Sequence, residues 1–269
     1  MKRIQSIFAL IAFTLAGMVA VFAQGLEVSP VRLDFSVEPG ANQAQVITVR
    51  NTANKRTTYT LAAADWHLNE RGDLVRVEDK TFGRSCKEWM SFNPALVELD
   101  ANESRQVTVT MNVPSGQAAT KWAIVYVAQQ KEQQAPQADR DLAMGIEVNQ
   151  ALGIFITQSP TSNNKAAAKL TDFKEVSPDA NGARVFHVRT ENLGDKIIDC
   201  NMYMVVSDLK NATERKLEPI TFKVLPESSR IGELSLPADL DKGAYYIAAI
   251  LDYGPNYPLE GVQMKLDIK

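Results

Sequence analysis

The sequence is divided by turn signals into many short runs in which apolar and polar residues alternate. Residues 45–50 and 106–113 are clear examples, and Glu38-Pro39-Gly40 is one of the turns between such runs. Residues 28–35 predict a first strand, and residues 121–128, which are rich in valine, isoleucine and aromatic residues, predict a buried one. A period of two residues is that of a β-strand, and turn signals about every 8–12 residues are typical of an antiparallel sandwich. No run shows a convincing helical period, so the sequence predicts an all-β protein.

The N-terminus has the form of a secretory signal peptide. Lys2 and Arg3 precede an uncharged apolar run at residues 7–22, and the small residue Ala23 follows. The alternative is an uncleaved anchor, but the run is shorter than the ~20 residues of a membrane span. We expect a signal peptide at 1–23 and a periplasmic or cell-envelope location, with no membrane span after cleavage.

The remaining chain is long enough for two sandwiches of about 100 residues each. Residues 47–51 match residues 186–190, and residues 103–105 match 228–230 in the same order. The pattern D-x-G-x-Y that ends at Tyr245 is typical of the tyrosine corner of immunoglobulin-like domains. We therefore predict two tandem immunoglobulin-like β-sandwich domains, at 24–158 and 170–269, joined by a linker at 159–169.

The residues give little support to catalysis or to metal binding. The chain has two histidines, far apart in sequence, and no recognised nucleophile, phosphate-binding or zinc motif. A net charge of −3 gives no reason to expect nucleic acid as a partner. Cys86 and Cys200 could form a disulfide, although the apolar surroundings of Cys200 favour free thiols. We predict a protein that is not an enzyme and that needs no cofactor or metal.

Residues 144–156 form the longest one-sided run in the chain. Apolar side chains occupy most even positions, among them Met144, Ile146 and Val148, while the odd positions are mostly small or polar. Such a strand can close the core of a sandwich, or it can offer its edge and side chains to a visiting strand. Both interpretations remain open on the sequence alone.

The first domain resembles the N-terminal domain of the PapD-like periplasmic chaperones. The resemblance is carried by Val28-Ser29-Pro30-Val31-Arg32, the turn at Pro39-Gly40, residues 46–51, Tyr59 and Trp66. It implies two immunoglobulin-like domains and a role in pilus assembly, in which a strand is lent to an incomplete subunit. By this resemblance Arg32 would bind the client's terminal carboxylate, and Met144, Ile146 and Val148 would be donor-strand side chains.

The sequence also departs from that family. The family's second carboxylate-binding residue, a lysine, would fall near Gly153, and Val127-Ala128-Gln129-Gln130 replaces the Asn-Val…Ile-Pro-Pro signature. We therefore expect a divergent chaperone-like protein that assists assembly or secretion of an exported surface protein by β-strand addition. The alternative is a structural or scaffold component of a cell-envelope assembly that binds protein or peptidoglycan, since residues 121–128 also resemble proteins of the WxL-interacting type.

Overall fold

The computed structural model describes residues 21–23, 25–79, 81–130, 151–176, 178 and 183–268. Within these residues the regular structure is nineteen β-strands and a short 3-10 turn at Lys87–Trp89. The first eleven strands are β1 Val21–Ala23, β2 Leu26–Ser29, β3 Arg32–Phe35, β4 Asn42–Asn51, β5 Thr57–Leu68, β6 Leu74–Val77, β7 Met90–Asn93, β8 Leu96–Leu99, β9 Ser104–Asn112, β10 Lys121–Gln129 and β11 Ala151–Gln158. The remaining strands are β12 Ala168–Val176, β13 Arg184–Asn192, β14 Ile198–Asp208, β15 Thr213–Lys216, β16 Ile220–Val224, β17 Ser229–Leu236, β18 Gly243–Asp252 and β19 Glu260–Ile268.

The first eleven strands build one sandwich. Its sheets have the strand orders β1-β2-β4-β9-β7 and β3-β11-β10-β5-β6, and β8 pairs with β5. The alternation of each strand directs one set of side chains between the two sheets. This core contains fully buried residues from both layers, including Val28, Val49, Val107, Val125 and Ile156.

The sequence predicted one strand over residues 28–35, and this expectation is wrong. The chain changes sheets there: β2 pairs antiparallel with β4, whereas β3 pairs parallel with β11 in the opposite layer. Pro30 lies between the two short strands and has no N–H to donate to either ladder, so it suits the crossing point.

The last eight strands build a second sandwich. One sheet has the order β12-β13-β17, and the other has the order β15-β14-β18-β19 with β16 beside β14. Its core is separate from the first and includes Phe186, Met202, Met204 and Ile247. Two tandem β-sandwiches are thus confirmed. Strands β12 and β15 were not predicted, and β12 begins at Ala168, inside the expected linker; the domain boundaries at 158 and 170 stay predictions.

Two local predictions for the second sandwich have different outcomes. The tyrosine corner is confirmed, because the Tyr245 hydroxyl donates to the carbonyl of Asp241 at 2.9 Å. The predicted match between residues 47–51 and residues 186–190 is two residues out of register with the structure. Asn51 and Asn192, not Asn51 and Thr190, end equivalent strands, and each side-chain amide donates to the carbonyl four residues later at 2.7 and 2.8 Å.

Both cysteines are buried free thiols, so the disulfide alternative is wrong. Burial raises the pKa of each thiol to about 12. Among the described residues, no group of three or more histidine, cysteine, aspartate or glutamate side chains could hold a metal ion. No helix in that part of the chain is long and apolar enough to cross a membrane.

Candidate strand-binding edge

Strand β11 has one side that is only partly covered. It pairs with β10 along its whole length, from Lys121 opposite Gln158 to Ala128 opposite Ala151. On the other side, β3 pairs with Phe155 to Gln158 only. Within the described residues, positions 151–154 therefore have no strand partner on the side away from β10; we call this segment the free edge.

The backbone groups that point out of the free edge can be identified. The N–H of Phe155 donates to the carbonyl of Val31 at 2.9 Å, and the N–H of Ser159 donates to Phe35 at 3.0 Å, so odd-numbered residues face β3. Peptide groups alternate in direction along a strand. Ala151 and Gly153 therefore direct two N–H donors and two C=O acceptors towards the place where another strand could lie.

The predicted donor side chains are not on this part of the strand. Met144, Ile146 and Val148 lie outside the described residues, so their role stays a prediction. In the described part of the same run, the even positions Ile154 and Ile156 are buried in the sandwich core. The core interpretation is therefore correct for Leu152, Ile154 and Ile156, whose side chains pack in the sandwich core. The free edge is formed instead by the backbone groups of the odd-numbered residues Ala151 and Gly153.

The remaining predicted site residue, Arg32, lies next to the free edge. It is the first residue of β3 and is opposite Phe155 in the parallel register. Among the described residues, the acidic neighbour within ion-pair distance is Asp34, with Nε and Oδ1 3.8 Å apart and both side chains about half exposed. Such an exposed pair contributes little, about 0–1 kcal/mol. The guanidinium therefore has donors available for another acceptor.

The outer face of the same sheet carries an apolar cluster that the sequence analysis did not identify as part of a site. Trp66, Ile124 and Phe155 meet there, and the rings of Trp66 and Phe155 are 5.1 Å apart in an edge-to-face arrangement. Leu225 of the second sandwich covers part of this face. The sequence of β10 does indicate this cluster: Trp122 and Ile124 alternate with core residues, so both faces of the strand are apolar. Both faces of such a strand must be covered by other parts of the protein.

Gly153 leaves room for these outer-face side chains. A Cβ at this position would lie 2.7 Å from Cδ1 of Ile124 and 3.5 Å from the ring of Tyr126. The position where the PapD-like family has a lysine is thus occupied from the neighbouring strand. Arg32 lies beside the free edge, opposite Phe155.

A polar network fixes the second sandwich relative to this site; it consists of Arg84, Thr120, Asn163, Asp195 and Glu227. Arg84 pairs with Asp195 and with Glu227 of the second sandwich, the latter at 2.6 Å, and donates to the carbonyl of Thr120 at 3.2 Å. Asn163 donates to Asp195 at 2.9 Å. Because most of these groups are partly buried and hydrogen-bonded, the network holds the two domains in one arrangement.

The linker is also anchored to the first sandwich. The carboxylate of Glu38 accepts hydrogen bonds from the hydroxyls of Ser162 and Thr161 and from the N–H of Ser162. These bonds, the Ser162 hydroxyl first, lower the pKa of Glu38. The chain between β11 and β12 is therefore a fixed connection.

Comparison with known proteins identifies the fold. An Fn3-like domain family matches residues 38–138. A chain of a chaperone–tip adhesin complex of CFA/I fimbriae is 13% identical, with a TM-score of 0.50 over 89% of this chain and 97% of its own. The class 5 fimbriae chaperone CfaA has a TM-score of 0.47 at 13% identity, covering 89% of this chain and 98% of its own, and the E. coli chaperone DraB has 0.42 at 13%, covering 90% and 98%.

No curated protein sequence matches the chain. At 13% identity the structural similarity concerns the fold, and it extends over both sandwiches. The resemblance found in the sequence is confirmed at the level of the fold: the two tandem β-sandwiches are similar to the matched chain of the chaperone–tip adhesin complex.

Proposed function

We propose that this protein is a non-enzymatic, chaperone-like binding protein of the periplasm that holds an exported polypeptide by strand addition at the free edge of β11. The observation that carries the proposal is the pair of residues Ala151 and Gly153, whose N–H and C=O groups extend beyond the end of β3. An extended peptide placed there gains main-chain hydrogen bonds to an ordered sheet.

The direction of β3 supports a particular orientation for the guest. A strand added parallel to β11 would approach β3 from its N-terminal end, so the guest's C-terminus would come close to Arg32. A guanidinium can bind a carboxylate with two parallel hydrogen bonds. This geometry agrees with the role that the resemblance implies for Arg32.

The predicted donor side chains would add apolar contacts to the backbone bonds. Burial of Met144, Ile146 and Val148 would contribute roughly 1.5–3 kcal/mol each. Association and ordering cost about 4–15 kcal/mol, which cancels most of this gain. The expected complex is therefore exchangeable, as a chaperone requires, unless a larger groove takes part.

Photo-crosslinking tests the proposal directly. A photoreactive amino acid at Ala151, which is exposed at the free edge, should form adducts with an exported polypeptide in cells. The same group at Leu209, an exposed position of the second sandwich, should not. Identical adducts at both positions would contradict the proposal.

A matched pair of variants isolates the backbone contribution. Gly153→Ala adds a Cβ beside Ile124 and keeps the N–H, whereas Gly153→Pro adds carbon atoms and removes the N–H that faces the free edge. Loss of one hydrogen bond predicts about two- to tenfold weaker capture for the proline variant than for the alanine variant. Equal capture by the two variants would exclude strand addition at this edge.

The lifetime of the complex distinguishes the two candidate functions. Release of the guest in a pulse–chase experiment indicates a chaperone, whereas permanent stoichiometric co-purification indicates a structural component.

A further inference from the structure

The structure points to a second binding site, and we infer that it takes the carboxylate or phosphoryl group of an anionic ligand. The site is a groove beside the second sandwich, between β16 and β17, and Arg71 of the first sandwich closes one end. We call it the arginine groove. It is distinct from the free edge and does not depend on the proposed function.

The arginine groove arises because two edge strands face each other. In the described residues β17 pairs only with β13 and β16 pairs only with β14, so neither sheet continues across the gap. The space is about 700 Å³, and its apolar lining includes Ile220, Phe222 and Gly232. The N–H of Ile231 donates to the carbonyl of Glu70 at 2.8 Å, which brings the loop with Arg71 to the groove.

Arg230 is held in the groove by contacts that leave its hydrogen-bond donors without an acceptor among the described residues. Its guanidinium carbon lies 5.7 Å from the centre of the Phe222 ring. The guanidinium also lies against Gly72, where a Cβ would be only 1.4 Å from Nη1. Gly72 also has φ +85, a conformation that favours glycine. The guanidinium is therefore positioned by the Phe222 ring and by contact with Gly72.

The two groove arginines differ from nearby arginines in their ion pairs. Among the described residues, neither Arg71 nor Arg230 forms an ion pair, whereas Arg189 on the same surface pairs with Glu70 and Asp172. Other arginines of the second sandwich, Arg184 and Arg215, are also paired with carboxylates.

Glu233, the acid among the described lining residues, does not form an ion pair with these arginines. The carboxylate of Glu233 is 3.5 Å from Nε2 of His187, and its side chain is 65% exposed. A concave space with two unpaired guanidinium groups therefore favours an anion.

The lining also limits the chemical class of the ligand. A planar guanidinium binds carboxylate or phosphoryl oxygens with paired N–H donors, whereas Ile220 and Phe222 favour an apolar body attached to the anionic group. A peptide side chain or chain end and a small phosphorylated molecule share this chemistry. Acetate and inorganic phosphate serve as probes that distinguish the two.

The test is an NMR titration of the arginine Nε–H signals of the full chain at constant ionic strength, with chloride as the reference salt. Acetate, phosphate or both should produce saturable shifts at Arg71 and Arg230, and the probe that saturates identifies the anionic group. Arg71→Gln, in an exposed loop, should weaken binding by about tenfold, as expected for loss of a charge-assisted contact. Arg230→Gln should do the same, and Arg215→Gln, which alters an arginine paired with Asp239, should leave binding unchanged.

Two results would overturn the inference. One is a linear, non-saturating shift of equal size at Arg215 and at the groove arginines, which indicates general screening. The other is unchanged binding in both Arg71→Gln and Arg230→Gln. Because Arg71 does not contribute to either core, its variant tests the site even if Arg230→Gln disturbs the packing against Phe222.

Discussion

Replacing Arg84 by glutamine should weaken the contact between the two sandwiches. The change removes the partner of Asp195 and Glu227 across the domain junction. Asp195 keeps hydrogen bonds from the Thr120 N–H and the Asn163 amide, so it is not left entirely without partners. The loss is therefore that of a charge-assisted pair and not the full cost of an isolated buried charge.

The burial of the pair sets the size of the effect. Exposed ion pairs contribute about 0.2–1 kcal/mol, and breaking a fully buried pair costs about 3–5 kcal/mol. The side chains of Arg84 and Asp195 are 14% and 23% exposed, which places them between these limits. We expect a coupling free energy of about 1–2 kcal/mol in a double-mutant cycle of Arg84→Gln and Asp195→Asn.

Urea unfolding of the four proteins measures this coupling. All three tryptophans lie in the first sandwich, so their fluorescence reports that domain, while circular dichroism reports both. Arg215→Gln with Asp239→Asn is the matched control, because this pair is 52% and 64% exposed and lies within the second sandwich. A coupling free energy for Arg84 and Asp195 no larger than that of the control would refute the view that the network fixes the domain arrangement.

Three further predictions concern buried or hydrogen-bonded groups. Asn51→Ala removes the side-chain amide whose two N–H groups are shared by the carbonyls of residues 55, 99 and 100. It should lower the free energy of unfolding by about 2–4 kcal/mol, measured by urea denaturation, and a loss below about 1 kcal/mol would contradict this. Burial raises the pKa of Cys86 and Cys200 to about 12. Iodoacetamide at pH 8 should therefore label neither thiol in the native protein and both thiols in urea. Rapid labelling of either thiol in the native protein would be inconsistent with the structure. Hydrogen bonds from Ser162 and Thr161 lower the pKa of Glu38 below its usual 4.5. The anchoring of the linker should therefore persist at pH 4.5 and be lost as the pH falls through the folded-state pKa. NMR titration of the Glu38 carboxyl carbon checks this, and a midpoint at or above 4.5 would disprove it.

Regular alternation made much of the fold predictable. Residues 106–113 were expected as a strand because their period of two is regular, and they correspond to β9. Residues 121–128 were expected as a buried strand because they are rich in valine, isoleucine and aromatic residues, and they correspond to β10. Strand β12 was missed because its register shifts between Thr171 and Lys174, which interrupts the alternation.

The candidate site depends on long-range features that the local pattern does not contain. The free edge exists because the chain changes sheets at Pro30, so that β3 begins only at Arg32, yet residues 28–35 read as one continuous strand. The domain junction joins Arg84 to Asp195, 111 residues later. The sequence indicated Arg32 through a resemblance, but only the three-dimensional register places it beside Ala151 and Gly153.

Amide hydrogen exchange of the free protein, resolved at Gly153 and Ile154, tests the central claim most directly. Gly153 directs its N–H away from β10, whereas Ile154 directs its N–H towards β10. The account predicts fast exchange at Gly153 and strong protection at its neighbour Ile154, with Gly153 becoming protected when a guest strand binds. Equal protection of the two amides in the free protein would mean that the protein's own chain already occupies the edge, and it would contradict the account.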